Sequence, residues 1–314
     1  MRTKPIDIMA VGELLIDMMS TDFADSMDNV DSFRRIAGGS PSNLGMNMQR
    51  LGNNVRLVST VGKDDFGNFL MHYLQNLGLN TEGVRQIADI PTTKIVVTRS
   101  KNVSNFEAYR GADAYIDSLQ MSDAVLSETA IFHTTCFALS IEPAQMTILD
   151  AARRATFQGC KLSIDVNYAA KIWKNTEEAR QIVARYVSNG AFVKCSEVDW
   201  ERLYGEKLID YKKAADHFLN LGAAEVCVTL GGEGCYVADA TEGHFLPARP
   251  VEVNDTTGAG DAFWSAYLTA RLDGYSILNA AKAARRMAEI KISYFGTLPN
   301  TIDRKQIYED IDVA

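Results

Sequence analysis

The chain has 314 residues, room for one large domain or two modest ones, and a chain of that length buries roughly three quarters of the surface its unfolded form exposes. Hydrophobic residues make up 46% and charged residues 23%, a globular mixture that excludes a disordered chain. The 40 acidic against 32 basic residues give a net charge of −8, which weighs against a nucleic-acid or anionic-membrane surface, where Lys and Arg cluster.

In chain order, residues 1–5 lead into an apolar run that stops at Gly12-Glu13. That run is too short for a signal-peptide core, and nowhere do about 18 apolar residues follow one another, so no membrane span and a cytoplasmic location are expected. Short β-branched runs predict strands over residues 6–11, 56–61, 95–98, 130–134, 161–164, 192–194, 225–229 and 235–237. Helical spacing of Phe66, Phe69, Leu70, Tyr73, Leu74 and Leu77 predicts a helix that Gly78 stops, and further helices are predicted over 143–157 and 211–221. Strand and helix in alternation predict an α/β fold with a mostly parallel sheet covered on both faces. Residues 14–35, carrying Asp17, Asp22, Asp25, Asp28 and Asp31, and residues 92–116 break the alternation. They read as a small extra sheet over the main one, or as plain surface loops. The five cysteines, Cys136, Cys160, Cys195, Cys227 and Cys235, are odd in number with no C-x-x-C pair, so free buried thiols are expected rather than disulfides or a zinc site.

Three glycine motifs carry chemistry. In Gly38-Gly39-Ser40-Pro41-Ser42-Asn43, Ser40 suits a helix cap and Pro41 the first helical position. The glycines allow close backbone approach to a small ligand, and Asn43 offers a donor and an acceptor to hydroxyls; a tight strand-to-helix turn explains the same residues. Thr229-Leu230-Gly231-Gly232-Glu233-Gly234 between two strands reads as a hairpin turn or as backbone wrapped around a nucleotide. The sharpest motif is Asn254-Asp255-Thr256-Thr257-Gly258-Ala259-Gly260-Asp261, followed by Phe263, Ala266, Tyr267 and Ala270 at helical spacing. A small-residue turn opening a helix near Gly260 directs backbone N–H groups of Gly258, Ala259 and Gly260 at one spot, an anion site strengthened by the helix dipole. Asp261 in that turn fits a base that takes the proton of a hydroxyl attacking phosphorus. It also fits a first-turn charge that favours the dipole. A dinucleotide fingerprint fails, because Phe263 stands where a third glycine is needed.

These motifs, in this order, resemble the ribokinase-like (pfkB) carbohydrate kinases over essentially the whole chain. Residues 38–43 are similar to the first family signature, 255–263 to the second, and Val61-Gly62-Lys63-Asp64-Asp65-Phe66-Gly67 to a third segment. The resemblance implies one kinase domain over residues 1–314, with a β lid inserted from about residues 12–36 and 92–116. It implies ATP as donor, Mg²⁺ as its metal and a sugar as acceptor. Asp261 matches the catalytic base, and Gly258, Ala259 and Gly260 the anion hole. Asp17, Gly38, Gly39, Asn43, Tyr109, Arg110 and Asn167 match the sugar side, and Ser196, Thr229, Gly231, Gly232 and Gly234 the ATP side. Asp255 and Thr257 match positions that border a monovalent cation such as K⁺. The resemblance also allows a homodimer through the lid.

Three departures stand out. The family's N-x-x-E segment, which organises Mg²⁺ through water, appears as Ser196-Glu197-Val198-Asp199, which makes Asp199 the metal-side carboxylate. In Asp165-Val166-Asn167-Tyr168-Ala169, an arginine common among fructokinases and 2-keto-3-deoxygluconate kinases is Ala169. Arg285 and Arg286 occupy a region usually filled by small residues near adenine. A sugar acid needs a cation, usually Arg, and Arg110 is the obvious one in the lid stretch. The stretch Tyr109-Arg110-Gly111-Ala112-Asp113 is fructokinase-like, so a neutral ketohexose such as fructose, phosphorylated on a primary hydroxyl, is expected ahead of 2-keto-3-deoxygluconate or 5-dehydro-2-deoxygluconate. The departures leave open a sugar-binding regulatory homologue with weak turnover.

Overall fold

A computed structural model describes residues 3–24, 26–99, 105–294 and 297–311; Asp25 of the acidic run lies outside these. The strands are β1 (Ile6–Val11), β2 (Leu15–Ser20), β3 (Phe33–Gly38), β4 (Val55–Gly62), β5 (Val84–Ile87), β6 (Lys94–Thr98) and β7 (Asn105–Tyr109). They continue with β8 (Thr129–Thr135), β9 (Lys161–Asp165), β10 (Phe192–Ser196), β11 (Glu225–Thr229), β12 (Gly234–Asp239) and β13 (Gly243–Pro247). The helices are α1 (Ser40–Arg50), α2 (Asp65–Asn76), α3 (Asp123–Ser127), α4 (Ala144–Phe157) and α5 (Thr176–Val187). They continue with α6 (Glu197–Tyr204), α7 (Tyr211–Asn220), α8 (Ala259–Leu272) and α9 (Ile277–Ser293).

Among the described residues the large sheet runs β13-β12-β11-β10-β9-β8-β1-β4-β5, and a separate small sheet runs β3-β2-β6-β7. From β11 to β5 the pairs of the large sheet are parallel, while β12 and β13 add an antiparallel edge. This is the mostly parallel α/β sheet with a small second sheet that the resemblance implies. The pleat of β1 divides the interior: Ile8 and Ala10 join the core formed with α1, α2, α8 and α9, whereas Met9 and Val11 join the core formed with α3–α7. Each predicted strand exists, extended by a residue or two where register continues. The two irregular stretches supply the small sheet: β2 pairs antiparallel with β3 (Asp17 opposite Ile36) and parallel with β6, and β6 pairs with β7. All five cysteines are free and buried, Cys160 included. No described helix is long and apolar enough to cross a membrane.

The topology gathers the chemistry at one end. Asp165, Ser196 and Thr229 terminate the neighbouring parallel strands β9, β10 and β11, the edge of an open α/β sheet where ligands bind. Helix α8 is locked onto this sheet from within. Tyr267 Oη donates to Glu225 Oε2 at 2.7 Å, Arg271 grips the same carboxylate, and Trp264 Nε1 donates to Ser163 Oγ at 2.9 Å. Anchored at those points, the first turn of α8 is held over the strand ends.

Candidate active site

The turn before α8 forms because Gly258 adopts φ 73°, a left-handed conformation that glycine takes at least cost. Gly258 is the residue flanking the helix, and the helix begins one position earlier than the sequence spacing suggests, at Ala259. No side chain caps it, so its opening N–H groups face outward as unsatisfied donors. Ala259 is an exception within the expected trio: its N–H is spent on Thr256 O at 3.1 Å. The donors left from that trio are those of Gly258 and Gly260.

Asp261 sits in the first turn of α8 and is half-buried. Ser40 Oγ donates to its Oδ1 at 2.6 Å and Asn43 Nδ2 to its Oδ2 at 3.0 Å. Burial raises its pKa, while those two donors and nearby Lys194 pull it back down. Ser40 is therefore not the helix cap that its position suggests. Gly39 precedes the helix, Ser40 and Pro41 form its first two positions, and the Ser40 hydroxyl points across to Asp261. Gly39 has φ 103°, and a Cβ there would lie 2.2 Å from Glu13 O, so only glycine lets α1 start this close to the β1–β2 connection.

Asp17, on β2, faces the same cleft as Asn43, Asp255, Thr257 and Gly258. Burial, with the Asp261 charge added, pushes its carboxyl up to about 7. A Cβ on Gly38 would lie 2.0 Å from Asp17 Oδ2, so the missing side chain leaves the space that this carboxylate fills. Of the residues expected on the sugar side, Asp17, Gly38, Gly39 and Asn43 thus converge with Asp261. Two others are placed differently. Tyr109, at the end of β7, is 58% exposed. Arg110 is committed: Nε donates to Asp113 Oδ2 at 2.7 Å, Nη1 donates to Ser140 Oγ at 2.7 Å, and the guanidinium lies over Phe137.

Asn167 takes φ 31° just beyond β9. The next N–H, of Tyr168, donates to Asp199 Oδ1 at 2.9 Å, while Ser196 N and Oγ both donate to Asp199 Oδ2. Ser196 and Asp199 form a reciprocal cap at the start of α6, which explains the serine for amide exchange: a hydroxyl makes that cap equally well. Thr229–Gly234 is a hairpin between β11 and β12 whose turn spans Gly231–Glu233. Gly234, at φ 123°, would drive a Cβ to 2.1 Å from Leu246 O, whereas Gly232 faces open space. Arg285 and Arg286 do structural work. Arg285 donates to Pro247 O and lies beside Glu289, and Arg286 pairs with Glu309, so both join α9 to neighbouring segments.

Three site residues escaped the sequence reading. Lys194 on β10 is buried, pairs with both oxygens of Asp165 at 2.8 and 2.9 Å, and its Nζ lies 3.3 Å from the place a Cβ on Gly260 would take. Asp165, Asp199 and Asp261 all hold its ammonium in the charged form. Glu13 accepts Ser40 N and Thr135 Oγ1 beneath the Gly39 turn, and burial pushes its carboxyl up to about 8. Ser40 is the third. A lone Lys at a strand end or a lone Glu after a glycine carries no local signal, because its partners come from distant strands.

A half-buried carboxylate held by two donors, outward N–H groups at a helix start and an opposing carboxylate can together hold a hydroxyl and receive a transferred anionic group. Comparison with known proteins agrees with this. The profile described as pfkB family carbohydrate kinase matches residues 5–304. The chain is 32% identical over 312 residues to an ATP-dependent 6-phosphofructokinase of Thermoanaerobacterium thermosaccharolyticum, covering 98% of this chain and 95% of that one. It is 30% identical over 274 residues to fructokinase-2 of Solanum lycopersicum, covering 86% and 83%. Among solved structures, Halothermothrix orenii fructokinase superposes with TM-score 0.80 at 31% identity, covering 94% of this chain and 100% of that one. The ATP-bound fructokinase of Xylella fastidiosa superposes with TM-score 0.85 at 24% identity over 96% of each, a likeness of fold.

Proposed function

The chain belongs to the pfkB family of carbohydrate kinases and is an ATP-dependent sugar kinase, and from that premise we propose that its acceptor is fructose, phosphorylated on a primary hydroxyl. The carrying observation is Asp261, half-buried in the first turn of α8, held by Ser40 and Asn43 and close enough to Asp17 for its charge to act on that carboxyl. The sugar lies between the two carboxylates. Asp17, its carboxyl raised by burial and by the Asp261 charge, accepts from sugar hydroxyls when ionised and donates to one when protonated. Asp261 accepts the proton of the attacking hydroxyl as the new O–P bond forms and the bond to the ADP oxygen breaks. The N–H groups of Gly258 and Gly260 stabilise the charge on the phosphoryl oxygens. Thr229, Gly231, Gly232 and Gly234 line the nucleotide side, and the small sheet acts as a lid that excludes water from the closed cleft. Residues 1–314 act as one domain in this reading. The open edge strands of the small sheet, β3 and β7, are where a second copy would pair. Five free buried thiols fit a reducing, cytoplasmic compartment.

Mg²⁺ fits as a cation carried in by the nucleotide. Asp165, Asp199 and Asp261 outweigh the single ammonium of Lys194, an excess of negative charge that suits a hydrated divalent ion. Among the described residues no cluster of three His, Cys, Asp or Glu side chains would cage a metal directly, so Asp199 would hold it through water. When bound, Mg²⁺ shields the phosphate charges.

A neutral acceptor is supported by Arg110, whose Nε and Nη1 are taken by Asp113 and Ser140, so that only Nη2 remains and the two-pronged fork that suits a sugar carboxylate is broken. A second reading, fructose 6-phosphate, is favoured by the relative named 6-phosphofructokinase and by the remaining Arg110 Nη2, which is buried without a partner among the described residues. ADP release across fructose, fructose 6-phosphate, 2-keto-3-deoxygluconate and 5-dehydro-2-deoxygluconate tests the proposal. Fructose should lead in kcat/KM by about tenfold or more, some 1.4 kcal/mol of discrimination. A lead for fructose 6-phosphate establishes the second reading, and a lead for either acid refutes both.

A further inference from the structure

The turn that receives the phosphoryl group has a cation beside it that belongs to none of the three glycine motifs. Lys291 lies in the last turn of α9 and is 8% exposed. Among the described residues its Nζ has no hydrogen-bond partner. The carboxylate facing it is Asp255, whose Oδ2 stands 3.6 Å away, beyond hydrogen-bond length. Its Cε is 3.8 Å from the place a Cβ on Gly258 would take, and it lines the same cleft as Asp17, Asn43, Asp255, Thr257 and Gly258. The segment it faces is tied to α9 by backbone as well. Asn254 N and Asp255 N both donate to Ile292 O, and Asp255 Oδ1 accepts Thr257 N at 2.9 Å. One turn of α9 therefore holds the 254–258 segment through a carbonyl at residue 292 and an ammonium at residue 291.

Asp255 and Thr257 are the residues at which the family resemblance implies a monovalent cation. They do not fit one here, because an ammonium already stands against Asp255 in a buried place, and a second cation beside it would be repelled at short range in a low-dielectric site. We propose that Lys291 is a built-in cation of the phosphoryl-receiving turn: its ammonium takes the place of a bound monovalent ion, offsets Asp255, positions the 255–258 segment and adds positive potential beneath the Gly258 and Gly260 donors. Lys291 is a positioning residue that works through the turn, and phosphoryl transfer by this chain needs no K⁺.

The test compares sugar-dependent ADP release by the full chain in tetramethylammonium buffer with and without KCl, alongside Tl⁺ binding followed by ²⁰⁵Tl NMR. Wild type should change less than about twofold with K⁺ and show no Tl⁺ site. Lys291→Met should lose roughly tenfold or more in kcat with a smaller change in KM for ATP, the pattern of a group that acts mainly in the transition state. K⁺ should then restore much of the loss and Tl⁺ should bind. Lys291→Ala, with more space, should be rescued by K⁺ or methylammonium, and thermal melts report whether either variant is folded. Activation of wild type by K⁺ severalfold, a Tl⁺ site in wild type, or a folded Lys291→Met whose kcat is unchanged or is lost without rescue would each overturn the proposal. The wild-type arms need no variant, and the Tl⁺ arm needs no sugar, so failure of the fructose assignment and failure of this inference are separable.

Discussion

Asp261 and Asp17 stand close enough for one charge to act on the other, and they differ in what holds them. Burial raises both carboxyls, but Asp261 accepts two side-chain hydrogen bonds that favour its ionised form, whereas Asp17 is raised further by the Asp261 charge. Two like charges this near separate in pKa, and the group with donors keeps the charge. A base must be ionised to accept a proton, so Asp261→Asn should lower kcat by ~10²–10⁴ while sugar affinity, measured by calorimetry, changes little. Near-normal turnover would remove Asp261 from the role. Asp261 was legible because its motif is local. Ser40, its partner 221 residues away, was legible only as a cap, since no spacing rule reaches across that distance.

The strand-to-helix turn at Gly38-Gly39 joins β3 to α1, and its two glycines answer to different constraints. A methyl on Gly38 meets the far end of the Asp17 side chain, which can rotate away; a methyl on Gly39 meets the backbone carbonyl of Glu13, at a φ of 103° that L residues rarely adopt. Gly38→Ala should therefore raise the sugar KM by about tenfold or more with a nearly unchanged melting temperature, and Gly39→Ala should lower the melting temperature by several degrees. Equal melting temperatures with an unchanged KM would show that neither contact constrains the site. At this scale the parallel strands were legible because they are buried on both faces and read as continuous apolar runs. Of the small sheet, β6 was legible as a strand and the rest as a break in the alternation. Its strands β2 and β3 are partly exposed and mixed in polarity, and β5 and β13 are edge strands too short to show a period.

Over the whole molecule, burial of acids at the sheet's carboxyl end makes stability depend on pH. The Glu13 carboxyl rises from 4.5 to about 8 on folding. Between those values the folded chain binds a proton that the unfolded chain has lost, so this contribution is complete below pH 4.5, shrinks as pH rises and is gone above about 8. Glu13→Gln stays neutral and keeps an acceptor for Ser40 N. Its melting temperature should gain on wild type by several degrees between about pH 5 and about pH 8.5, read by calorimetry. A constant gap across that range would show that Glu13 does not titrate there.

The amino-acid sequence by itself determined the α/β alternation, the family, and the turn that carries Asp261, because each is written in residues close together along the chain. The tertiary structure alone decided that Ser40 binds Asp261 instead of capping α1, that Arg110 is spent on Asp113 and Ser140, that Lys194 stands behind Gly260, and that Lys291 faces Asp255. Those are pairings across strands and helices. In a buried site, where an uncompensated charge is costly, such pairings decide what each polar group can still do, and no local pattern records them.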